Sequence, residues 1–199
     1  MRRVMNEMFE ISIDDQGTVR ELYLRQDPEG MNWVIDPDYL QSVGYPDEDK
    51  CFGRFILETN GHHYTLDDVE PVFTDEEDSV TVSYPFGEVQ VHQCYSLSDS
   101  SSLQYTIRLS NQGSSRVAID RFEVWLSLAY VMFRDLKVKR NMTQSCAVFP
   151  SISPDFSRFA AVRRSNRGPH LGIFNTEGRT LSLGTYCQQL GRAIGPFDS

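Results

Sequence analysis

The chain has 199 residues, 40% hydrophobic and 12% aromatic, with a formal charge of −9. This is a globular composition, enough for one large domain or two small ones burying roughly 70% of the unfolded surface, and it excludes a disordered chain. No apolar run approaches the ~20 residues that a membrane-spanning helix needs, which argues against a membrane partner.

The charge is uneven. Residues 1–100 carry 6 Lys and Arg against 22 Asp and Glu, a balance of −16, and residues 101–199 carry 13 against 6, a balance of +7. Acidic and basic strands interleaved in one sandwich account for this, and a basic surface for an acidic partner or neighbouring domain is the alternative.

The N-terminus MRRVMNEMFEISI has no apolar h-region. No signal peptide is visible, which leaves a cytoplasmic chain or one whose start is a boundary within a longer protein. Phe9, Ile11 and Ile13 alternate into the turn Asp14-Asp15-Gln16-Gly17, and Val19, Leu22 and Leu24 follow, predicting an opening hairpin. Gln26 to Lys50 shows no period and holds three Pro and seven Asp and Glu, as a packed or functional loop does. Trp33, Tyr39 and Tyr45 are its large anchors.

Phe55 and Leu57 lead into Asn60-Gly61, the strongest short hairpin signal, because a type I′ turn needs positive φ at both central residues. Val69 to Thr74, the acidic tip Asp75 to Asp78, and Val80, Val82 and Tyr84 predict the next hairpin, and Pro85-Phe86-Gly87 a turn. Val89, Val91, Gln93, Tyr95 and Leu97 alternate again, with His92 on the polar phase.

The stretch Leu103 to Leu128 organises the reading. Leu103, Tyr105, Ile107 and Leu109 point one way, while Gln104, Thr106, Arg108 and Ser110 point the other. Asn111 to Ser115 is turn chemistry, and the return strand slips phase at Asp120-Arg121, which predicts a β-bulge. A long bent hairpin at the centre of an antiparallel sheet is the expectation.

Shorter strands are predicted over Cys146 to Phe149, Phe159 to Val162, His170 to Phe174 and Leu181 to Tyr186. About a dozen short strands with no ten-residue helical stripe predict an all-β, antiparallel two-sheet sandwich. One domain over 1–187 is expected, and 188–199, lacking a strand pattern, reads as the start of a connection to a further domain.

Few residues point to chemistry. Cys51, Cys94, Cys146 and Cys187 form no CxxC and read as small apolar residues, with a Cys94–Cys146 or Cys51–Cys187 bridge as the alternative for an exported chain. His62 and His63 are adjacent, so on a strand they face opposite sides and cannot share a metal; His62 is retained as a candidate at a cleft, against a solvated pair. No cofactor is implied, since no nucleotide, metalloprotease or hydrolase motif occurs.

Asp36, Asp38, Asp47, Glu48 and Asp49 crowd the long loop, but the spacing of a carboxylate pair across a sugar is not visible in sequence. Trp33 with Tyr39 or Tyr45 offers a stacking platform for a sugar ring, or else Trp33 plugs the open end of the sandwich between Met31, Val34 and Ile35. Arg163, Arg164 and Arg167, beside Asn166 and His170, form the densest basic cluster; a nucleic-acid partner would want more net positive charge and interleaved aromatics.

Three segments together carry a resemblance: FEISIDDQGTVRELYLRQDPEGMNWV, LQYTIRLSNQGSSRVAIDRFEVWLSL and GPHLGIFNTEGRTLSL. They resemble the N-terminal β-supersandwich, related to the galactose mutarotase fold, that precedes an (α/α) barrel in several glycoside hydrolases and phosphorylases. They are also similar to an uncharacterised bacterial and fungal carbohydrate-active family. The resemblance implies a non-catalytic scaffold that packs on a C-terminal helical catalytic domain of the same polypeptide and lines the sugar cleft. It transfers no catalytic residue, because His62, His92 and His170 lack the motif context of a mutarotase. A free-standing carbohydrate-binding module and a small epimerase-like enzyme are the alternatives.

Overall fold

The computed structural model describes residues 1–28, 30, 32–34, 51–126, 147–150, 159–163, 170–174, 185–187 and 192–194. They are all-β, in antiparallel sheets of two to four strands, compatible with a sandwich. The chain divides into two compact units, residues 1–129 and 130–199.

The first unit opens on a three-stranded sheet of β1 (Arg2–Met5), β2 (Phe9–Ile13) and β3 (Val19–Leu24), in that order. The predicted opening hairpin is β2–β3. Its turn is held by Asp14 Oδ1, which accepts from the backbone N–H groups of Gln16 and Thr18 at 2.9 Å each. Gly17 takes φ +83° there. Strand β1, which has little sequence signal, joins because Val4 stands opposite Ile11 on the buried side.

A second sheet, ordered β10-β4-β5, contains β4 (Phe55–Thr59), β5 (His62–Tyr64) and β10 (Ile119–Val124). Asn60 and Gly61 join β4 to β5 at φ 49° and 76°, the type I′ geometry that the dipeptide predicts. Gly61 N–H donates to Asp120 Oδ2 at 3.0 Å, tying the turn to the start of β10.

The third sheet is a meander of β6 (Val72–Asp75), β7 (Ser79–Phe86), β8 (Val89–Ser96) and β9 (Gln104–Asn111). Strand β7 continues through Pro85, which was expected to turn the chain. Partner β6 ends opposite Ser83, so the missing N–H of Pro85 breaks no ladder with it.

Strands β9 and β10 do not form the expected central hairpin. Among the described residues, strand β9 pairs only with β8 in the meander, and β10 pairs with β4 in the other sheet. The phase slip was real: the β10–β4 register shifts between Ile119 and Arg121. Alternation fixed both strands and the bulge, but not which neighbour each would take. Residues 112–118 therefore connect one sheet to another.

The core of this unit lies between the inner face of the meander and the other two sheets. Phe55 meets Tyr84 and Phe86 edge-on, with ring centroids 5.2 and 5.9 Å apart, and Tyr64 packs on Phe86 at 5.3 Å. Ile11, Ile13, Val19, Leu57, Val82, Val91 and Tyr95 are fully buried. At the rim, the Arg2 guanidinium lies 3.5 Å from the Phe73 ring centroid.

The second unit contains a three-stranded meander of β11 (Ala147–Pro150), β12 (Phe159–Arg163) and β13 (His170–Phe174). It also contains a hairpin of β14 (Thr185–Cys187) and β15 (Arg192–Ile194). Strand β15 falls in the stretch expected to lack any strand pattern. Its three residues are too few for an alternation to register.

Candidate functional site

Of the residues singled out from sequence, Trp33 and His62 are described, and they lie on different elements. Trp33 is 1% exposed, so its ring faces the core and offers no surface on which a sugar can stack. Asn32 is what holds it there. Its Oδ1 accepts from Leu22 N–H at 3.0 Å and its Nδ2 donates to Arg20 O at 3.0 Å, so one side chain takes the place of a neighbouring strand on β3. Trp33 N–H then donates to Leu22 O at 2.8 Å. Tyr39, Tyr45 and the acidic run Asp36 to Asp49 lie outside the described residues.

His62 is exposed on β5, its ring 6.2 Å from that of Tyr64. His63 faces the other way, its Nδ1 3.1 Å from Glu58 Oε1, which Arg121 also approaches at 3.3 Å. This is a solvated cross-strand charge ladder. His92 lies on the far side of the meander from His62, so those two imidazoles do not converge. Among the described residues, no three His, Cys, Asp or Glu are grouped to hold a metal ion. Cys94 carries a free thiol. Cys146 lies outside the described residues.

The meander presents two chemically opposite faces. Its inner face carries one polar side chain deep among apolar ones, Gln93 at 0% exposure. Gln93 Nε2 donates to Gly53 O at 2.6 Å. Its Oε1 is approached by the hydroxyls of Tyr84 and Tyr95, each at 3.2 Å. Those hydroxyls also reach Gln16 O at 3.0 Å and Gly17 O at 3.2 Å, so each single proton is shared between two acceptors.

Gly17 and Gly53, both at positive φ, sit where a Cβ would overlap the hydroxyls of Tyr84 and Tyr95 respectively. The network therefore clamps two backbone loops to β7 and β8. Burial pushes the Tyr84, Tyr95 and Tyr105 phenols well up, with nearby Asp14 adding to the rise at Tyr84.

The outer face is a lattice of polar groups. One row runs Val72, Ser83, His92, Arg108 across all four strands, and the next runs Thr74, Thr81, Cys94, Thr106. Gln90 with Ser110, and Ser96 with Gln104, extend it at the two ends. Side chains directly opposite stand ~5 Å apart, and successive rows on one face ~7 Å. Ser83 Oγ and His92 Nδ1 are 2.8 Å apart. Thr74, Gln104, Thr106 and Arg108 are exposed, while Thr81, Ser83, His92 and Cys94 are half-buried by their neighbours.

No Asp or Glu occupies a strand position on this face. Arg108, like Arg25 and Arg116, makes no ion pair with any described residue, whereas Arg2, Arg3, Arg20, Arg54 and Arg121 all do. Both features follow from the period-two pattern in β8 and β9. His92 and Arg108 each lie on a polar phase in the sequence, and only the β8–β9 pairing joins them. Gln93 on an apolar phase was the available signal for the inner network.

No family model matches the chain, and neither a curated protein nor a solved structure does.

Proposed function

We propose that the chain is a non-catalytic accessory module of a carbohydrate-active protein, holding glycan against the outer face of the β6–β9 meander. The observation that supports this reading is the lattice itself. Hydroxyls, amides, an imidazole and a guanidinium are spaced at ~5 by ~7 Å on a sheet whose opposite face is clamped by the Gln93 network. Glycan hydroxyls both donate and accept, and such a rigid array meets them without an ordering cost on the protein side.

The supersandwich likeness of the sequence supports the same role, as a module beside a helical catalytic domain rather than as the seat of catalysis. Hydrogen bonds exchanged with water contribute only about 0.5–1.5 kcal/mol each, so the expected affinity is modest. The test is an amide chemical-shift titration of the intact chain with malto-, cello- and galacto-oligosaccharides and with oligogalacturonate. Shifts confined to β7, β8 and β9, with no glycan cleaved, are the expected result. Silence across the panel, or shifts centred on the His62 hairpin, would overturn the reading.

A further inference from the structure

The geometry points to an anionic glycan, carboxylated or sulfated, as the ligand of this face, with Arg108 as its anchor. This rests on the glycan reading and narrows it. Residues 1–100 carry 22 Asp and Glu against 6 Lys and Arg, yet the strand positions of this face hold no carboxylate. This face is thus free of strand carboxylates in a chain of formal charge −9.

Arg108 is exposed, and no described carboxylate satisfies its guanidinium. A guanidinium is a permanent cation with a planar fork of donors that matches a carboxylate or sulfate edge. Beside it, in the same row, stand His92 and Ser83, already bonded to each other at 2.8 Å. Their pairing fixes the imidazole ring, so that the row presents the fork of Arg108 next to a positioned ring nitrogen and a hydroxyl.

The acidic groups in the described turns of the meander are aimed elsewhere. The tip Asp75 to Asp78 adjoins the end of the face where Ser79 pairs with Ser96, four residues along β8 from His92, or roughly 13 Å. Beyond about 10 Å, exposed charges are largely screened at ordinary ionic strength. Glu88, in the turn at the opposite end, lies over Gly113, where an added Cβ would meet its carboxyl group. Neither competes for Arg108.

The experiment measures binding of four probes to the intact chain by chemical shift and calorimetry: trigalacturonate, a sulfated carrageenan hexasaccharide, galactotriose and a triaspartate peptide. The expected result is that at least one of the two anionic glycans binds, shifting His92 and Arg108, and binds at least tenfold more tightly than galactotriose. Arg108→Ala should weaken that binding tenfold or more, and Arg108→Lys should restore only part of it; the amide spectrum of each variant reports whether the fold is kept. Trigalacturonate against carrageenan tells carboxylate from sulfate. If galactotriose binds as well as both, or Arg108→Ala changes nothing, the anionic ligand is wrong while the glycan reading stands. If triaspartate binds as tightly as the acidic glycans, or no probe binds, the inference and the glycan reading fail together.

Discussion

The two faces of the β6–β9 meander come from the same strands, alternate residues apart, and both carry polar groups. On the inner face each polar atom of the Gln93 cluster is matched to a partner at 2.6–3.2 Å, and three of the five bonds reach backbone carbonyls outside the meander, at Gln16, Gly17 and Gly53. On the outer face the Ser83–His92 contact joins two groups of one row, and Arg108 makes no ion pair with a described residue. A buried polar group left without a partner costs about 1–3 kcal/mol, whereas water satisfies an exposed one. The Gln93 cluster is thus committed to the fold, and the outer polar groups remain available to a ligand.

The sharpest way to test this comparison is alkaline titration. Tyr84, Tyr95 and Tyr105 have phenols raised by burial, so the folded state holds protons that the unfolded state releases above about pH 10. Their stabilising effect is complete below that pH and is lost as pH climbs toward the folded values. Each phenol contributes a slope of about 1.4 kcal/mol per pH unit in that window. Urea midpoints measured from pH 9 to 12, with phenolate absorbance followed alongside, should show these three ionising only as the chain unfolds. Reversible ionisation of all nine tyrosines near pH 10 in folded protein would break the comparison.

A smaller effect separates the faces directly. Gln93→Leu removes the donor to Gly53 O and the acceptor shared by two hydroxyls, and should lower the unfolding free energy by about 1–3 kcal/mol. Thr106→Val, on the exposed face of the adjacent strand, should stay within about 0.5 kcal/mol. Equal losses in chemical denaturation would mean that the outer face is also committed to the fold.

Much of this architecture was legible in the residues. Period two gave β2, β7, β8 and β9, Asn60-Gly61 gave its hairpin, and the odd-to-even slip gave the bulge in β10. Those signals are local: a turn and a pleat are set by neighbours in sequence. Partner choice is not local, and it failed at the 103–128 stretch, where turn residues at Asn111 to Ser115 suggested a hairpin but the chain crosses to β4. The candidate face shared that fate, since its row from Ser83 to Arg108 exists only through cross-strand pairing. Trp33 was visible as an anchor, but only the side-chain bonds of Asn32 to β3 reveal which way it turns.

The crossing of β10 also bears on the order in which the molecule assembles. The meander is built from successive strands joined by short links, while pairing Ile119 with Thr59 closes a loop of about 60 residues that contains the whole meander. Closing that loop while its contents are unfolded carries the larger entropic cost, so the meander should collapse first and β10 should latch afterwards. In refolding kinetics, Val82→Ala should therefore slow folding, and Phe122→Ala should act chiefly by speeding unfolding; the reverse partition would place the latch in the nucleus.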